Sequence, residues 1–203
     1  MYSTKTATTN NTEFNSSYMP VGINEDVTLK EVNVNKTPQG RDFLEIIFEN
    51  GQGQTATMTE WKNEKNMWIK TDEDLQNRDN QQFGRILQVI DAVKDGHGDF
   101  EGSSFVEMIN WVKEQLVEED SKLLRLKVVY DKKGYTKVSS LGVFVEPMSV
   151  AKEESQIKLW KNDLLERPVQ ADVEKPVDPL AAGTTSSAPV TADSTGADDL
   201  PFQ

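Results

Sequence analysis

The chain has 203 residues, a formal net charge of −12 at pH 7, one histidine and no cysteine. Without cysteine, disulfides, thiolate metal sites and cysteine nucleophiles are excluded. The histidine, His97, lies in the polar run Gly-His-Gly-Asp, which is typical of a turn rather than of a catalytic triad. The sequence also contains no nucleotide-binding loop, so we expect no enzyme, no catalytic residue, no metal and no cofactor.

The apolar segments are too short to cross a membrane, which takes a run of roughly 18 residues. Residues 1–15 are polar and lack the apolar stretch of a signal peptide. We therefore expect a soluble, cytoplasmic protein. Residues 1–20 show no periodicity, and we predict that they form a mobile N-terminal arm.

A strand pattern begins at Val21, where apolar residues alternate with polar ones. The alternation shifts by one residue near Lys30 and Glu31, which predicts a β-bulge and hence a bent first strand. Two further strands follow, the second of them after an Asn-Gly hairpin. We expect a turn after the first strand at 36–40, the second strand at 43–49 and the third strand at 54–62.

The period then becomes helical, which predicts a helical hairpin within 79–120. Ser104 and Glu107 fit a capping box at the start of its second helix. We then expect a fourth strand at 124–130, a turn at 131–134, a fifth strand at 135–146 and a short charged helix at 151–166.

Three strands, a helical insertion and two more strands follow the order of an OB barrel. We therefore predict a mainly β protein, namely a five-stranded Greek-key OB barrel with a helical hairpin inserted between strands three and four, a short C-terminal helix and a disordered acidic tail. The predicted barrel domain spans 21–167. The segment 168–196 lacks aromatic residues and periodicity, which predicts a disordered linker, and 197–203 forms an acidic tip.

OB barrels commonly bind oligonucleotides on strands two and three and on two flanking loops. The chain before Pro168 is itself acidic, so such a site must be a local basic surface. Residues 122–137 contain six basic residues and one acidic residue, and aromatic and basic residues interleave between 61 and 70. Single strands stack their bases on aromatic rings over such surfaces. The predicted DNA-binding residues are Arg41, Phe43, Trp61, Lys62, Lys65, Trp68, Lys70, Arg125, Lys127, Lys132, Lys133, Tyr135 and Lys137.

Simpler structural roles are also open for these residues. Arg125 and Lys127 also fit the solvated face of a half-buried strand, because charges at alternate positions commonly have that role. Trp111 and Trp160 lie in predicted helices and are assigned to packing. Glu45, Glu49 and Glu60 are interpreted as solvated strand residues rather than as the metal ligands of a nuclease.

The C-terminal run Asp198-Asp199-Leu200-Pro201-Phe202 resembles the acidic tip Asp-Asp-Asp-Ile-Pro-Phe of bacterial and bacteriophage single-stranded DNA-binding proteins. The body is similar to phage members of that family at 21–29 and 43–48. The resemblance implies a protein that coats single-stranded DNA in replication, recombination and repair. It also implies a tip that recruits a polymerase, helicase or nuclease. In bacterial members the phenylalanine is terminal, whereas here Gln203 follows it.

A second hypothesis is an OB-fold protein-interaction adaptor of a replication complex, with little DNA binding of its own. The acidic body supports it, because phosphate contacts depend on Lys and Arg. RNA is a further possible ligand under the first hypothesis, since base stacking tolerates both sugars. Oligomeric state is not readable from the sequence.

Overall fold

A computed structural model describes residues 16–94, 96–117 and 122–168. The predicted acidic tip, nearly all of the predicted linker and residues 1–15 of the predicted arm lie outside these ranges. The described chain is mainly β, with six strands in one antiparallel sheet and two helices. The elements are β1 (Gly22–Lys36), β2 (Asp42–Asn50), β3 (Thr55–Trp61), α1 (Asp72–Lys94), α2 (Phe105–Leu116), β4 (Leu124–Tyr130), β5 (Thr136–Val138) and β6 (Val145–Pro147).

The long strand β1 joins the two halves of the sheet, because β2 pairs with one of its edges and β4 with the other. The predicted bulge is confirmed, since the register with β2 shifts between Leu29 and Glu31. The extra residue restores the phase, so Leu29 and Val32 both face the core. The register with β4 also breaks near Asp26, whose φ is 55°. The two irregularities bend β1.

The β2–β3 hairpin has one buried and one solvent-facing side. Leu44, Ile46 and Phe48 are fully buried, and the residues between them are partly exposed. The turn is held by Asn50, whose Oδ1 accepts hydrogen bonds from the backbone N–H groups of Gln52 and Gln54 at 3.0 Å. The predicted strands and hairpin are therefore confirmed.

The helical hairpin is present, but α1 begins at Asp72 and is longer than predicted. Its start is capped reciprocally: the N–H of Asp74 donates to Thr71 Oγ1, and the N–H of Thr71 donates to an Asp74 carboxylate oxygen. The first two turns of α1 are almost wholly polar, so their sequence lacks the apolar periodicity from which a helix is predicted. Ser104 caps α2 as predicted, with Glu107 N–H donating to its Oγ, but the Glu107 carboxylate accepts from Ser103 N–H rather than from Ser104 N–H. Neither described helix is long and apolar enough to cross a membrane.

The predicted fifth strand is wrong as a single element, because β5 and β6 are two short strands on the same edge of β4. Both backbone groups of Lys127 mark the break, since its carbonyl accepts from Ser139 N–H and its N–H donates to the carbonyl of Phe144. Residues 140–143 loop out between these bonds. The loop brings the carbonyl of Leu141 to 2.8 Å from Lys127 Nζ. A buried ammonium group thus interrupts the strand.

The predicted helix at 151–166 is also wrong, because residues 148–168 form turns, bends and irregular segments that we call the C-terminal strap. The strap bonds to β4 through its backbone, with Tyr130 N–H donating to the carbonyl of Leu164. Its apolar anchor is Ile157, which is buried. Its backbone carbonyl at Lys158 binds Lys127 Nζ at 3.0 Å, so this group serves a tertiary contact instead of a helical hydrogen bond.

Residues 16–20, which the sequence assigns to the mobile arm, are packed on the sheet. Met19 is almost fully buried, and its N–H donates to the carbonyl of Thr55 at 2.9 Å. Thr55 N–H donates in turn to the carbonyl of Ser17. These bonds attach the segment to the start of β3, beside Tyr18.

Candidate nucleic-acid interface

Three predicted site residues meet where β3 ends, and we call Arg41, Phe43 and Trp61 the aromatic end. Phe43 and Trp61 are cross-strand partners, and their rings stack with centroids 4.5 Å apart and an interplanar angle of 26°. Arg41 places its guanidinium carbon 5.6 Å from the Trp61 ring centroid. Cross-strand pairing on the solvent-facing side of the hairpin thus produces an aromatic and cationic surface, of which Trp61 is 39% exposed.

Lys62 follows Trp61 and connects the aromatic end to two cavities. The smaller cavity, of about 250 Å³, is lined by Arg41, Lys62 and Phe105 among others. The larger one, of about 520 Å³, lies between α1 and the start of α2 and also includes Lys62. Carboxylates line both cavities, namely Asp42 and Glu64 in the smaller and Asp79 and Glu101 in the larger.

The loop after β3 presents Trp68 to solvent, 84% exposed. Its backbone is nevertheless held, because the side-chain oxygen of Asn66 accepts from the N–H groups of Trp68 and Ile69 at 2.8 and 3.1 Å. Ile69 is buried and anchors the loop. Lys65 forms an ion pair with Asp72, and Lys70 is exposed. An exposed tryptophan on a fixed backbone is suited to stacking a base.

Two of the predicted DNA-binding residues, Arg125 and Lys127, are buried, which removes them from any exposed surface. Arg125 binds the carboxylates of Glu146 and Glu25, and the hydrogen bond with Glu146 is the main reason that the pKa of Arg125 is raised. Lys127 Nζ binds a carboxylate oxygen of Asp163 at 3.1 Å. Both faces of β4 are covered, so the alternation of charged residues does not mark a wet face.

The other predicted residues of the basic segment lie in the turn between β4 and β5 and in β5, and they are largely exposed. Lys132, Lys133 and Lys137 are on the surface, and Tyr135 is 65% exposed. The turn is fixed by Asp131, whose Oδ1 accepts from the N–H groups of Lys133 and Tyr135. The bond from Tyr135 N–H is the main reason that the pKa of Asp131 is lowered.

The aromatic end and the Tyr135 turn lie at opposite ends of the β2–β3 hairpin. The turn borders a cavity together with Gln52 and Gln54, which belong to the hairpin loop. Phe43 and Trp61 mark the other end. The sheet face between the two ends is acidic, since Glu31, Glu45 and Glu49 lie on it and only Glu49 of the three is paired with a described cation, Lys30.

The remaining sequence assignments concern packing and metals. Trp111 packs against Phe83 and Phe100 with centroid distances of 5.9 and 5.0 Å. Trp160 lies in the strap, 53% exposed. Glu60 faces inward and is held by Arg85 at 2.9 and 3.0 Å and by Gln82 at 2.8 Å, so it is not on the same face as Glu45. Among the described residues no group of three acidic or histidine side chains is arranged to hold a metal ion.

No protein-family model matches the chain, and no curated protein matches it either.

Sequence reasoning missed Tyr18 and Arg167, which line the same cavity as Tyr135. Tyr18 was assigned to the arm because residues 1–20 show no period. The sequence feature that could have identified Tyr18 as ordered is the Met-Pro-Val run after it. The methionine of this run is buried and holds the tyrosine in place. Arg167 carries no local signal, since only the fold of the strap brings it to the turn.

Proposed function

We propose that the protein binds single-stranded DNA without strong sequence preference and protects it during replication, recombination and repair. The observation that carries this proposal is the aromatic end, where Arg41, Trp61 and Phe43 lie together on the solvent-facing side of a hairpin. Each aromatic ring that stacks a base contributes about 1–3 kcal/mol, whichever base it is. Arginine can stack on a base through its planar guanidinium group and also neutralise a phosphate.

We also propose that the sheet is an OB-fold barrel with Greek-key connections. The order of elements favours it, because the helices separate β3 from β4. A long, bent β1 paired with both β2 and β4 favours it too, as does the packing of β5 near β3. Under this proposal the aromatic end is on the strands that OB barrels commonly use for oligonucleotides.

Titration of oligo-dT with Trp61→Ala tests the binding proposal. The substitution should weaken binding by about 1–3 kcal/mol, because one stacking ring is lost. Trp61→Phe should restore most of the affinity, since it keeps a ring beside Phe43. Trp160→Ala is the matched control, a half-exposed tryptophan in the strap, and should bind like the parent protein. Fluorescence anisotropy of labelled oligo-dT measures each affinity. Equal affinity of the parent for duplex and single strand would overturn the proposal.

An interaction adaptor remains the second candidate, and the acidic sheet face favours it. Glu31, Glu45 and Glu49 repel phosphate but suit a basic protein partner. Changing all three to Gln separates the two functions. DNA binding should become tighter if the sheet carries the strand, because a repulsive surface is neutralised. An adaptor would instead lose its partner and gain no affinity for oligo-dT.

The C-terminal tip extends the proposal to partners. We assign recruitment of a polymerase, helicase or nuclease to residues 198–202, on the resemblance of their sequence and on the chemistry of a phenylalanine that follows two aspartates, a leucine and a proline. A peptide of residues 197–203 should bind such a partner, and Phe202→Ala should abolish that binding. The same peptide without Gln203 shows whether a terminal phenylalanine binds more tightly. Equal binding by the F202A peptide contradicts the assignment.

A further inference from the structure

A cavity of about 530 Å³ lies at the end of the sheet opposite the aromatic end. Four segments distant in sequence form it: residues 16–21, the β2–β3 loop, the β4–β5 turn and the end of the strap. Its volume is in the range that holds small organic ligands. Its lining includes Tyr18, Tyr130, Tyr135, Gln52, Gln54 and Arg167.

The two outer tyrosines are exposed although their backbones are fixed. Tyr18 is 63% exposed and Tyr135 is 65% exposed. Tyr18 precedes the buried Met19, and Tyr135 N–H donates to Asp131 at 2.9 Å. Burying an aromatic ring is favourable, and little backbone entropy is lost when a ligand covers a ring that is already held in place. Such rings are suited to stacking a planar ligand.

The polar groups of the cavity suit a nucleotide. Arg167 lies across the β4–β5 turn, where its Nε is 3.1 Å from the position a β-carbon would take on Gly134. The described lining contains no Asp or Glu, unlike the two cavities beside Lys62, which contain two carboxylates each. Gln52 and Gln54 add amide groups that can donate to and accept from a base edge. The cavity therefore combines rings, a cation and amides without a repelling charge.

The register of the hairpin gives the distance between this cavity and the aromatic end. Tyr18 pairs with Thr55 at the start of β3, and Trp61 ends the same strand. Six residues at about 3.3 Å each separate them by about 20 Å. A single strand with a stacked spacing of about 3.4 Å per nucleotide covers that distance with about six nucleotides.

We infer that the Tyr18–Tyr135–Arg167 cavity is a second nucleotide-binding site on the same single strand, taking a base on its tyrosine rings and a phosphate on Arg167. The inference rests on the proposed function. A strand that occupies both sites must cross the acidic face between them. It is therefore fixed at its two ends, and a short oligonucleotide can occupy one site at a time.

The test compares oligo-dT of about 4 and about 16 nucleotides, which bracket the site sizes of OB folds. Labelled oligonucleotides are titrated with the parent protein, with the double variant Tyr18→Ala/Tyr135→Ala and with Arg167→Gln. The longer oligonucleotide should bind the double variant about tenfold or more weakly than the parent, as expected from the loss of stacking. The Y18F/Y135F variant should bind like the parent, because its rings are kept. Lys161→Gln is the matched control for R167Q and should bind like the parent.

The outcomes separate this inference from the proposed function. If W61A weakens the 16-mer and Y18A/Y135A does not, the second site is overturned and the proposed function stands. If Y18A/Y135A weakens it and W61A does not, the cavity binds the strand and the aromatic end is overturned. No binding by the parent protein overturns both. Thermal unfolding of every variant shows whether a loss of binding is a loss of folding.

Discussion

At the scale of single residues, the least expected feature is the ammonium group of Lys127, fully buried beneath the strap. It donates to the carbonyls of Leu141 and Lys158 and to the carboxylate of Asp163. Asp163 also accepts from Ser139 and from Trp160 N–H. Burying a charge is tolerable only when it is paired and hydrogen-bonded. The pair therefore holds the strap and the 140–143 loop in one arrangement.

Removing one member of this pair should strongly destabilise the fold. Lys127→Met leaves Asp163 without its counter-charge and should lower the free energy of unfolding by about 3–5 kcal/mol. The double variant K127M/D163N should recover a substantial part of the lost stability, because the amide oxygen still accepts from Trp160 N–H while the amide NH2 group can donate to the Ser139 hydroxyl. Urea unfolding measures both. Lys30→Met, which removes an exposed ion pair with Glu49, is the control and should cost less than about 1 kcal/mol. A small effect of K127M would contradict the structural role.

A second residue-scale prediction concerns pH and Glu146. Burial by itself would raise the pKa of this carboxyl group, but hydrogen bonds from Ser155, Arg125 and Gln156 N–H lower it below the ordinary 4.5. A lowered pKa means that the ionised form contributes stability above the unfolded pKa. That contribution is lost as the pH falls through the folded pKa. E146Q should therefore be less stable than the parent at neutral pH, and its free energy of unfolding should depend less on pH. Unfolding in urea at neutral and at acid pH measures both effects. The exposed Glu154→Gln is its control, and a parent-like slope in E146Q would refute the role.

At the scale of elements, the strap completes the domain. β4 is buried on both faces, and the strap covers one of them through Ile157 and Asp163. Its backbone bonds to Tyr130 and Leu123 extend the contact to both ends of β4. Because β4 is buried on both faces, its side chains on one face would contact water if the strap were absent.

Truncation tests this role. A protein that ends after Pro168 should unfold cooperatively in urea, because it contains every described strand and helix. A protein that ends after Val150 should not, because Lys127 then loses the carbonyl of Lys158 and the carboxylate of Asp163. Near-ultraviolet circular dichroism, which reports fixed aromatic packing, measures the difference. Native-like spectra from the shorter protein would show that the strap is dispensable.

At the scale of the whole molecule, the net charge of −12 repels nucleic acid, so the proposed DNA binding would depend on a few local cations. Arg41, Lys62 and Lys70 are the exposed candidates in and after the aromatic end. Arg125 and Lys127 are buried, so they are not among the cations available to bind phosphate. A binding mode with few phosphate contacts relies more on stacking than on counterion release.

This balance predicts a shallow salt dependence. The slope of log affinity against log salt for oligo-dT should be about −3, from about four phosphates at 0.7 each, three at Arg41, Lys62 and Lys70 and one at Arg167 of the second site. Arg41→Gln should reduce the slope by about 0.7, because one phosphate contact is lost. Lys152→Gln, an exposed lysine beside Glu25, should leave it unchanged. A slope of the parent several times steeper would point to a larger basic surface than the aromatic end provides.

The sequence by itself determined the features that depend on local periodicity. Alternation within β1, β2 and β3 marks their buried faces because side chains of a strand point to opposite sides. The phase shift near Lys30 revealed the bulge for the same reason. The N-cap at Ser104 was readable because its hydrogen bond joins residues three apart. Phe43 and Trp61 were both selected as binding residues on adjacent strands.

Only the tertiary structure decided which surfaces are covered. Arg125 and Lys127 have the alternating pattern of a wet strand face, yet the strap lies over it and converts them into buried ion-pair partners. Tyr18 and Arg167 are brought to one cavity with Tyr135 by contacts between segments far apart in the chain. Periodicity records which side of an element a residue is on. Whether that side meets water or another segment depends on long-range packing, which no local pattern contains.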